Sequence, residues 1–378
     1  MLSAIRIHAD QAAVTVVSDT KEITDWALRY FGGWWNATNT EAPAPTTSNM
    51  TEGGAVLFAA LDSSRLADIE TMVGDYEHDE IDYANARTLV ARHEDGSIYA
   101  TQPAERLGYH YDPAAGRLVI VGAHAKPVAV AASRLARELI RGQLLRAGFH
   151  ILHASCVVRD GRALLTFGPK GAGKTTSALL LARSGFELLA NDRVFIRAED
   201  EGLRILPWPS AAAIGFGLLD STGLYEPLRA RVLIGEQMHP TQDQSVTDAL
   251  SAGSKTPIWN AKGKELKPQF FPDQLSSILR MTLATQAHAT ALLFPQVNKD
   301  AEPQAAPAPR ALEEEDFFTS KTEDRYPDIF HLAPDKTAPT TDLADRLALL
   351  PRRALVLNHD SNTSAKLLAK TAKELLSA

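Results

Sequence analysis

A strand, a glycine-rich loop and a helix follow one another between Ala163 and Gly185, and this order constrains the fold more than any other feature. The apolar run from Ala163 to Phe167 has the length of a buried strand. Residues 168–175 read GPKGAGKT, the full spacing of the G-x-x-x-x-G-K-[ST] phosphate-binding loop. The next residues, TTSALLLARSG, predict a helix that ends at Gly185. The sequence therefore predicts an α/β domain whose strand-to-helix loop binds phosphate.

The loop is expected to bind a nucleotide through backbone amides and two specific side chains. Its N–H groups and the N-terminus of the following helix attract an anion. We expect Lys174 to reach the β- and γ-phosphates of ATP, and the Thr175 hydroxyl to bind Mg²⁺. The predicted ATP-binding residues are Gly168, Pro169, Lys170, Gly171, Ala172, Gly173, Lys174, Thr175 and Thr176.

Length and charge limit the class of protein. A chain of 378 residues has room for two domains, since about 100–200 residues per domain is typical. The formal net charge of −7 argues against a nucleic-acid partner, because a protein of that class needs a basic face for phosphates. With Cys156 as the one cysteine, no disulfide can form within the chain.

The apolar segments favour a cytoplasmic protein. The N-terminal residues MLSAIRIHADQAA lack the apolar core of a secretion signal. No apolar run reaches the roughly 18–20 residues that a membrane span requires. We therefore expect neither a membrane partner nor an extracellular location.

The predicted elements divide the chain into three parts. Residues 1–126 predict a smaller, mixed α+β domain without a motif assignable to chemistry, for which acceptor recognition is one option. Residues 127–149 predict a connecting helix whose arginines lie on an exposed face. Residues 150–378 predict the P-loop domain. Within it, residues 298–316 are rich in Pro, Ala and acidic residues, which predicts a flexible insert.

Three sequence features in order resemble a known family. His153, then GPKGAGKT, then LLANDRVFI are similar to the HPr kinase/phosphorylase-like kinases, whose P-loop fold is related to phosphoenolpyruvate carboxykinase. The match covers about residues 150–220 and extends plausibly to the C-terminus. The resemblance implies a kinase domain of this HPr-kinase-like, PEP-carboxykinase-like type.

The resemblance also implies roles for individual residues. Asp192 takes the place of the second of two paired acids, which the family uses as the base for the acceptor hydroxyl, and we also expect it to bind the metal. His153 corresponds to the histidine beside the acids, so the implied catalytic set is Asp192, His153 and Lys174. Asn191 stands where the first acid is usual, and an amide can neither supply charge nor take a proton. This departure weakens the expectation of a reverse, phosphorolytic reaction.

Structural alternatives stay open for these residues. Asp192 can instead pair with Arg193 or cap a turn, and His153 can be a core histidine. A further cation is expected near the transferred phosphate. The basic run from Lys262 to Lys267 is one candidate, although a solvated basic turn is the favoured interpretation of it.

Two functions fit the sequence. The first is an ATP- and Mg²⁺-dependent kinase that transfers the γ-phosphate to a hydroxyl of a small molecule, or to a peptide or protein Ser or Thr. The second is a nucleotide-binding regulatory or scaffold protein with little phosphotransfer, which the missing first acid favours. The kinases that the chain resembles are commonly oligomeric, so a homo-oligomer is allowed, and the sequence does not identify the acceptor.

Overall fold

The chain forms two compact units. A computed structural model describes residues 2–43, 54–319, 327–334 and 340–377. The first unit comprises residues 1–148 and 320–336, and the second comprises residues 149–319 and 337–378. The structure thus differs from the predicted domains, because the predicted connecting helix and residues 320–336 both belong to the first unit.

The first unit is built on one large mixed sheet. Its described strands follow the order β3-β1-β2-β4-β9-β8-β7-β6-β5. The strands β2, β4 and β9 are parallel neighbours, and the remaining pairs are antiparallel. Its elements are β1 (Ser3–Ala9), β2 (Ala12–Ser18), α1 (Lys21–Phe31), β3 (Thr38–Thr40), β4 (Ala55–Leu61), α2 (Ser63–Asp75), β5 (His78–Tyr83), β6 (Ala86–Arg92), β7 (Ile98–Gln102), β8 (Leu107–Asp112), β9 (Arg117–Gly122) and α3 (Ala125–Arg146).

Helix α3 is a core helix of the first unit and not a connector. It packs on α1 and on the three parallel strands of the sheet. The prediction of an exposed arginine face is wrong for Arg137 and Arg141, which are both buried. The Glu138 carboxylate lies 2.8 Å from Arg141 Nη1 and 3.3 Å from Arg137 Nε. Burial of these charges is tolerated because opposite charges pair on the same helix face.

The second unit contains the phosphate-binding motif within a second mixed sheet. The order of its main path is β10-β14-β15-β20-β12-β11-β13, and β22 pairs with β20. Its elements are β10 (His150–Leu152), β11 (Ser155–Arg159), β12 (Arg162–Thr166), α4 (Lys174–Arg183), β13 (Glu187–Ala190), β14 (Val194–Glu199), β15 (Gly202–Pro207), β16 (Ala212–Ala213), α5 (Phe216–Ser221), α6 (Tyr225–Leu233), α7 (Gln244–Ala252), β17 (Ile258–Trp259), β18 (Glu265–Leu266), β19 (Gln269–Phe270), α8 (Pro272–Ser277), β20 (Ala287–Val297), β21 (Gln304–Ala305), a 3₁₀ turn (Glu314–Asp316), α9 (Thr341–Leu349), β22 (Arg352–Leu357) and α10 (Ser361–Ser377).

Parallel pairing brings several strand ends to one edge of this sheet. The strand β20 is parallel to both β12 and β22. The strand β13 is also parallel to β12, because both are antiparallel to β11, which lies between them. Ligands of open α/β sheets bind beyond the carboxyl ends of such strands. Residues that follow β12, β13, β20 and β22 therefore converge at this carboxyl edge.

Residues 298–316 are more ordered than the predicted flexible insert. The strand β21 pairs with β22, and the amide of Ala306 donates to the carbonyl of Ala354 at 2.8 Å. Asp316 is buried at the end of the segment. The Pro- and Ala-rich composition correctly indicates little regular structure, but backbone bonds to β22 hold the segment in place.

At the level of fold class, both units are α/β with large mixed sheets. In the second unit, a strand, a glycine loop and a helix follow in the predicted order at residues 162–183. Among the described helices, none combines the length and the apolar composition needed to cross a membrane.

We predict that Gly142→Ala destabilises the first unit. A Cβ at this position in α3 would clash with the carbonyl oxygen of Leu332, which belongs to the same unit. Such overpacking costs about 1–3 kcal/mol in the free energy of unfolding. Chemical denaturation followed by circular dichroism measures the change.

Gly74→Ala is the matched control for this prediction. Gly74 lies in α2, and a Cβ there meets nothing within 4 Å. Alanine should therefore stabilise the protein by about 0.5–1 kcal/mol, because it favours the helix over glycine. Equal effects of the two substitutions would contradict the close approach of Leu332 to α3.

Candidate functional site

The loop between β12 and α4 has a conformation that requires glycine. Gly168, Gly171 and Gly173 have φ values of 149°, 88° and 102°. A Cβ on Gly168 would lie 2.8 Å from the Cβ of Ala172, and one on Gly173 would lie 2.9 Å from Val297 Cγ2 at the end of β20. Glycine avoids both the unfavourable φ and the clash. The fixed glycines of the motif thus let the loop lie against the carboxyl edge with its amides close to any ligand.

Lys174 begins α4 and lies back over the loop. Its Nζ donates to the carbonyl oxygen of Gly168 at 2.5 Å, while the Ser155 hydroxyl donates to the carbonyl of Lys174 at 3.0 Å. Burial lowers the pKa of Lys174, and the carboxylates of Asp192 and Asp316 oppose that effect. Lys174 therefore shares one electrostatic environment with both acids.

The predicted catalytic residues lie where one antiparallel ladder is interrupted. The ladder joins β10 to β14 on one side of the interruption and β11 to β13 on the other. Leu152 pairs with Val194 across β10 and β14, and Cys156 pairs with Ala190 across β11 and β13. The register is the same on both sides of the break, so residues 153–155 lie opposite residues 191–193. The register places His153 opposite Arg193 and Asp192 opposite Ala154. His153 and Asp192 are therefore diagonal neighbours where the ladder opens, although 39 residues separate them in the chain.

His153 is half-buried beside the 3₁₀ turn. Its Nδ1 lies 3.2 Å from the carbonyl oxygen of Glu315, and its ring packs edge-on against Phe318. A carbonyl only accepts hydrogen bonds, so Nδ1 carries the proton and the neutral ring has its lone pair on Nε2. Within the described residues, the buried Nε2 has no hydrogen-bond partner. The ring is thus prepared to accept a hydrogen bond at Nε2.

The charges around His153 favour the neutral ring. Burial lowers the pKa of His153, and the nearby Arg193 guanidinium lowers it further, whereas the Asp192 carboxylate raises it. Arg193 is itself held over the ring of Phe318 at 4.9 Å. His153 is half-buried, and its catalytic role stays a prediction beside the structural one.

Asn191 and Asp192 are adjacent in the chain but lie in different environments. The side chain of Asp192 is 57% exposed, and its Oδ2 lies 3.7 Å from Arg193 Nε, which is too long for a hydrogen bond. Asn191 is buried, and its Oδ1 accepts a hydrogen bond from the Ser210 hydroxyl at 3.2 Å. An amide satisfies this buried position without placing a second negative charge next to Asp192.

The other predicted ligand-binding residues surround Lys174. Thr175 and Thr176 are half-buried in the first turn of α4, while Pro169 and Lys170 are exposed at the loop and Ala172 is buried. In the described parts of the chain, no group of three or more His, Cys, Asp or Glu side chains could hold a metal ion. Mg²⁺ in nucleotide sites needs only one or two protein oxygens plus phosphates and waters. Thr175 and Asp192 fit that requirement.

Arg310 and Asp316 join the site, and the sequence analysis missed both. Arg310 Nη1 and Nη2 donate to the two carboxylate oxygens of Asp316 at 2.6 and 2.7 Å. The backbone carbonyl of Asp316 accepts from the amide of His153 at 2.8 Å. The sequence could have indicated these residues only by their position, because the chain that follows the apolar strand β20 starts at the carboxyl edge of the sheet.

The basic run from Lys262 to Lys267 lies on and after the hairpin of β17 and β18. The amide of Lys262 donates to Asn260 Oδ1 at the hairpin tip, and Lys267 Nζ lies 3.0 Å from Glu265 Oε2. These contacts are those of a basic turn. By contrast, the charges of Arg310 and Asp316 both act on the pKa of Lys174.

Comparison with known proteins finds similarity among solved structures. No family model and no curated protein matches the chain. Among solved structures, it is similar to the Hpr(Ser) kinase/phosphatase from Coxiella burnetii, with 15% sequence identity over 40% of this chain and a TM-score of 0.20. The chain spans 60% of the length of that protein. At this TM-score the similarity is distant, and it supports no statement about function.

We predict that the pKa of His153 lies below 6.5, because burial and Arg193 disfavour the imidazolium. Removing the neighbouring negative charge in Asp192→Asn should lower this pKa further. NMR titration of the imidazole resonances measures both values. A His153 pKa above 6.5 in the unaltered protein, or a rise in the variant, would contradict the electrostatic description of the site.

Proposed function

We propose that this chain is an ATP-dependent kinase that transfers the γ-phosphate to a hydroxyl of a small molecule or of a peptide or protein Ser or Thr. The observation that carries the proposal is the convergence of Lys174, Asp192 and His153 at one edge of the sheet. The sequence motif alone accounts for phosphate binding. The neighbouring acid and histidine supply what phosphoryl transfer needs beyond binding.

The loop and Lys174 hold the phosphates. The amides of Gly168, Lys170, Gly171 and Gly173, together with the N-terminus of α4, form a cradle that favours negative charge. Lys174 gives up its contact with the Gly168 carbonyl and donates to the β- and γ-phosphate oxygens instead. Positioning and charge neutralisation of this kind supply most of the catalysis of phosphoryl transfer.

Asp192 accepts the proton of the acceptor hydroxyl. As the acceptor oxygen forms its bond to the γ-phosphorus, the bond from that phosphorus to the bridging oxygen breaks, and ADP leaves with the electron pair. The proton of the hydroxyl passes to the Asp192 carboxylate, which later releases it to water. His153 Nε2, which has the lone pair, accepts a hydrogen bond from the acceptor and so helps to orient it.

Mg²⁺ is the proposed metal, and it would neutralise charge on the β- and γ-phosphates. The Thr175 hydroxyl would hold it from the start of α4, and the Asp192 carboxylate is the second candidate ligand. Because Asp192 is largely exposed, it retains the freedom to serve either the metal or the acceptor.

A nucleotide-binding regulatory protein with little phosphotransfer is the second candidate function. The buried Asn191, bonded to Ser210, favours it because the site has one acid where the similar kinases have two. The two candidates differ in what happens to the γ-phosphate. A kinase places it on an acceptor, whereas a regulatory protein releases it slowly to water or not at all.

The test is transfer of label from γ-³²P-ATP in the presence of Mg²⁺ and size-fractionated metabolites and peptides from cell extract. We predict a labelled acceptor, and we expect Asp192→Asn to lower the rate by about 10²–10⁴-fold, the usual contribution of general base catalysis. Affinity for ATP, measured by isothermal titration calorimetry, should change little. Lys174→Ala should weaken both binding and transfer, so it tests the phosphate site.

Asp160→Asn is the matched control. It makes the same chemical change on an exposed acid in the turn between β11 and β12, where φ is 52° and Asn is well tolerated. Its transfer rate should equal that of the unaltered protein. ATP binding without any labelled acceptor would favour the regulatory protein, and full activity in Asp192→Asn would exclude Asp192 as the base.

A further inference from the structure

We propose that Arg310 is the residue that binds the γ-phosphate and stabilises its charge during transfer, held in place by the buried carboxylate of Asp316. This assignment rests on the proposed kinase function and adds a catalytic residue that the loop motif does not contain. Phosphoryl transfer develops charge on the equatorial oxygens of the γ-phosphate, and an arginine is a common source of the neutralising donors.

The first observation is that Asp316 orients the guanidinium of Arg310. The contact is bidentate, with both terminal nitrogens bonded to the two oxygens of a side chain that is only 5% exposed. The amide of Glu313 donates to the same carboxylate at 2.9 Å. A planar guanidinium fixed at two points has a defined direction, which a lysine at this position would lack.

The second observation concerns the hydrogen-bond donors that Arg310 keeps. A guanidinium has five N–H donors. In the described chain, Asp316 takes one from each terminal nitrogen, and the carbonyl of Ala311 takes another from Nη1. One donor on Nη2 and the donor on Nε remain for a ligand. Two donors suffice to bind two phosphate oxygens.

The third observation places Arg310 next to the loop. Its guanidinium lies 5.0 Å over the ring of Phe294, near the end of β20. Phe294 stacks on Phe167, the residue directly before Gly168. The charge of Arg310 also contributes to the lowered pKa of Lys174, although burial of Lys174 is the larger cause. Arg310, in the segment after β21, and Lys174, at the start of α4, thus approach the same phosphate position from two sides.

The fourth observation connects Arg310 to the acceptor side of the site. Asp316 and Glu315 bond through their carbonyls to the backbone and the ring of His153. The short segment 310–316 therefore fixes a phosphate-binding cation and a proposed acceptor-binding histidine together. Lys262, the alternative cation from the sequence, has no such connection among the contacts of the described residues.

The experiment compares the affinities of ATP and ADP, with Mg²⁺, by isothermal titration calorimetry. Because the proposed contact is with the γ-phosphate, Arg310→Ala should lower the affinity for ATP by about 10–100-fold, the loss expected for one or two charge-assisted hydrogen bonds. The affinity for ADP should fall by less than about 3-fold. Arg183→Ala, at the far end of α4, and Lys262→Ala are controls that should leave both affinities unchanged.

A second variant guards against misfolding. Arg310→Ala leaves the Asp316 carboxylate buried without its partner, which is destabilising. In Arg310→Ala/Asp316→Asn the buried charge is removed too, and the selective loss of ATP affinity should persist at an unchanged melting temperature.

The two proposals fail in different ways. If the unaltered protein binds neither nucleotide, the kinase function is overturned and the role of Arg310 with it. If it binds both and the Arg310 variants change ATP and ADP equally or not at all, only the role of Arg310 is overturned. A selective loss of affinity for ATP in Lys262→Ala would instead indicate that the hairpin of β17 and β18 binds the γ-phosphate.

Discussion

The backbone conformation of the glycine loop at the carboxyl edge of parallel strands is the feature on which the rest of this site depends. This conformation is available because three glycines take φ values between 88° and 149°, where other residues are strained. The close approach of Gly173 to Val297 ties the loop to β20 as well as to β12. The parallel register of these strands therefore decides which other segments can reach a ligand in the loop.

Charges of both signs act on the side chains around the loop. Asp192, Asp316 and Arg310 all influence the pKa of Lys174, and Asp192 and Arg193 influence the pKa of His153 in opposite directions. The neutral Asn191 fits this balance because it is buried and bonded to Ser210, where a carboxylate would have added uncompensated negative charge. In the proposed function, these charges favour a bound phosphate chain, while burial and Arg193 favour the neutral imidazole of His153.

The local part of this arrangement could be predicted from the sequence, and the non-local part could not. The glycine spacing indicated the loop, and the resemblance of the sequence to known kinases indicated His153 and Asp192 as candidate site residues. Arg310 could not be predicted, because it lies in a Pro- and Ala-rich segment without a motif. Its position depends on the pairing of β21 with β22 and on a buried acid six residues away. The buried Arg137 and Arg141 were misjudged for a similar reason, since pairing with Glu138 outweighs the usual exposure of arginine.

The central claim is that a nucleoside triphosphate binds in this loop with its terminal phosphate between Lys174 and Asp192. The most direct measurement is a crystal structure of the chain with Mg²⁺ and a β,γ-imido analogue of ATP. We predict phosphates bonded to amides of Lys170, Gly171 and Gly173, Lys174 Nζ on the γ-phosphate, and the Asp192 carboxylate within reach of an acceptor oxygen. An empty loop, or a bound nucleotide whose γ-phosphate points away from Asp192 and His153, would contradict this account.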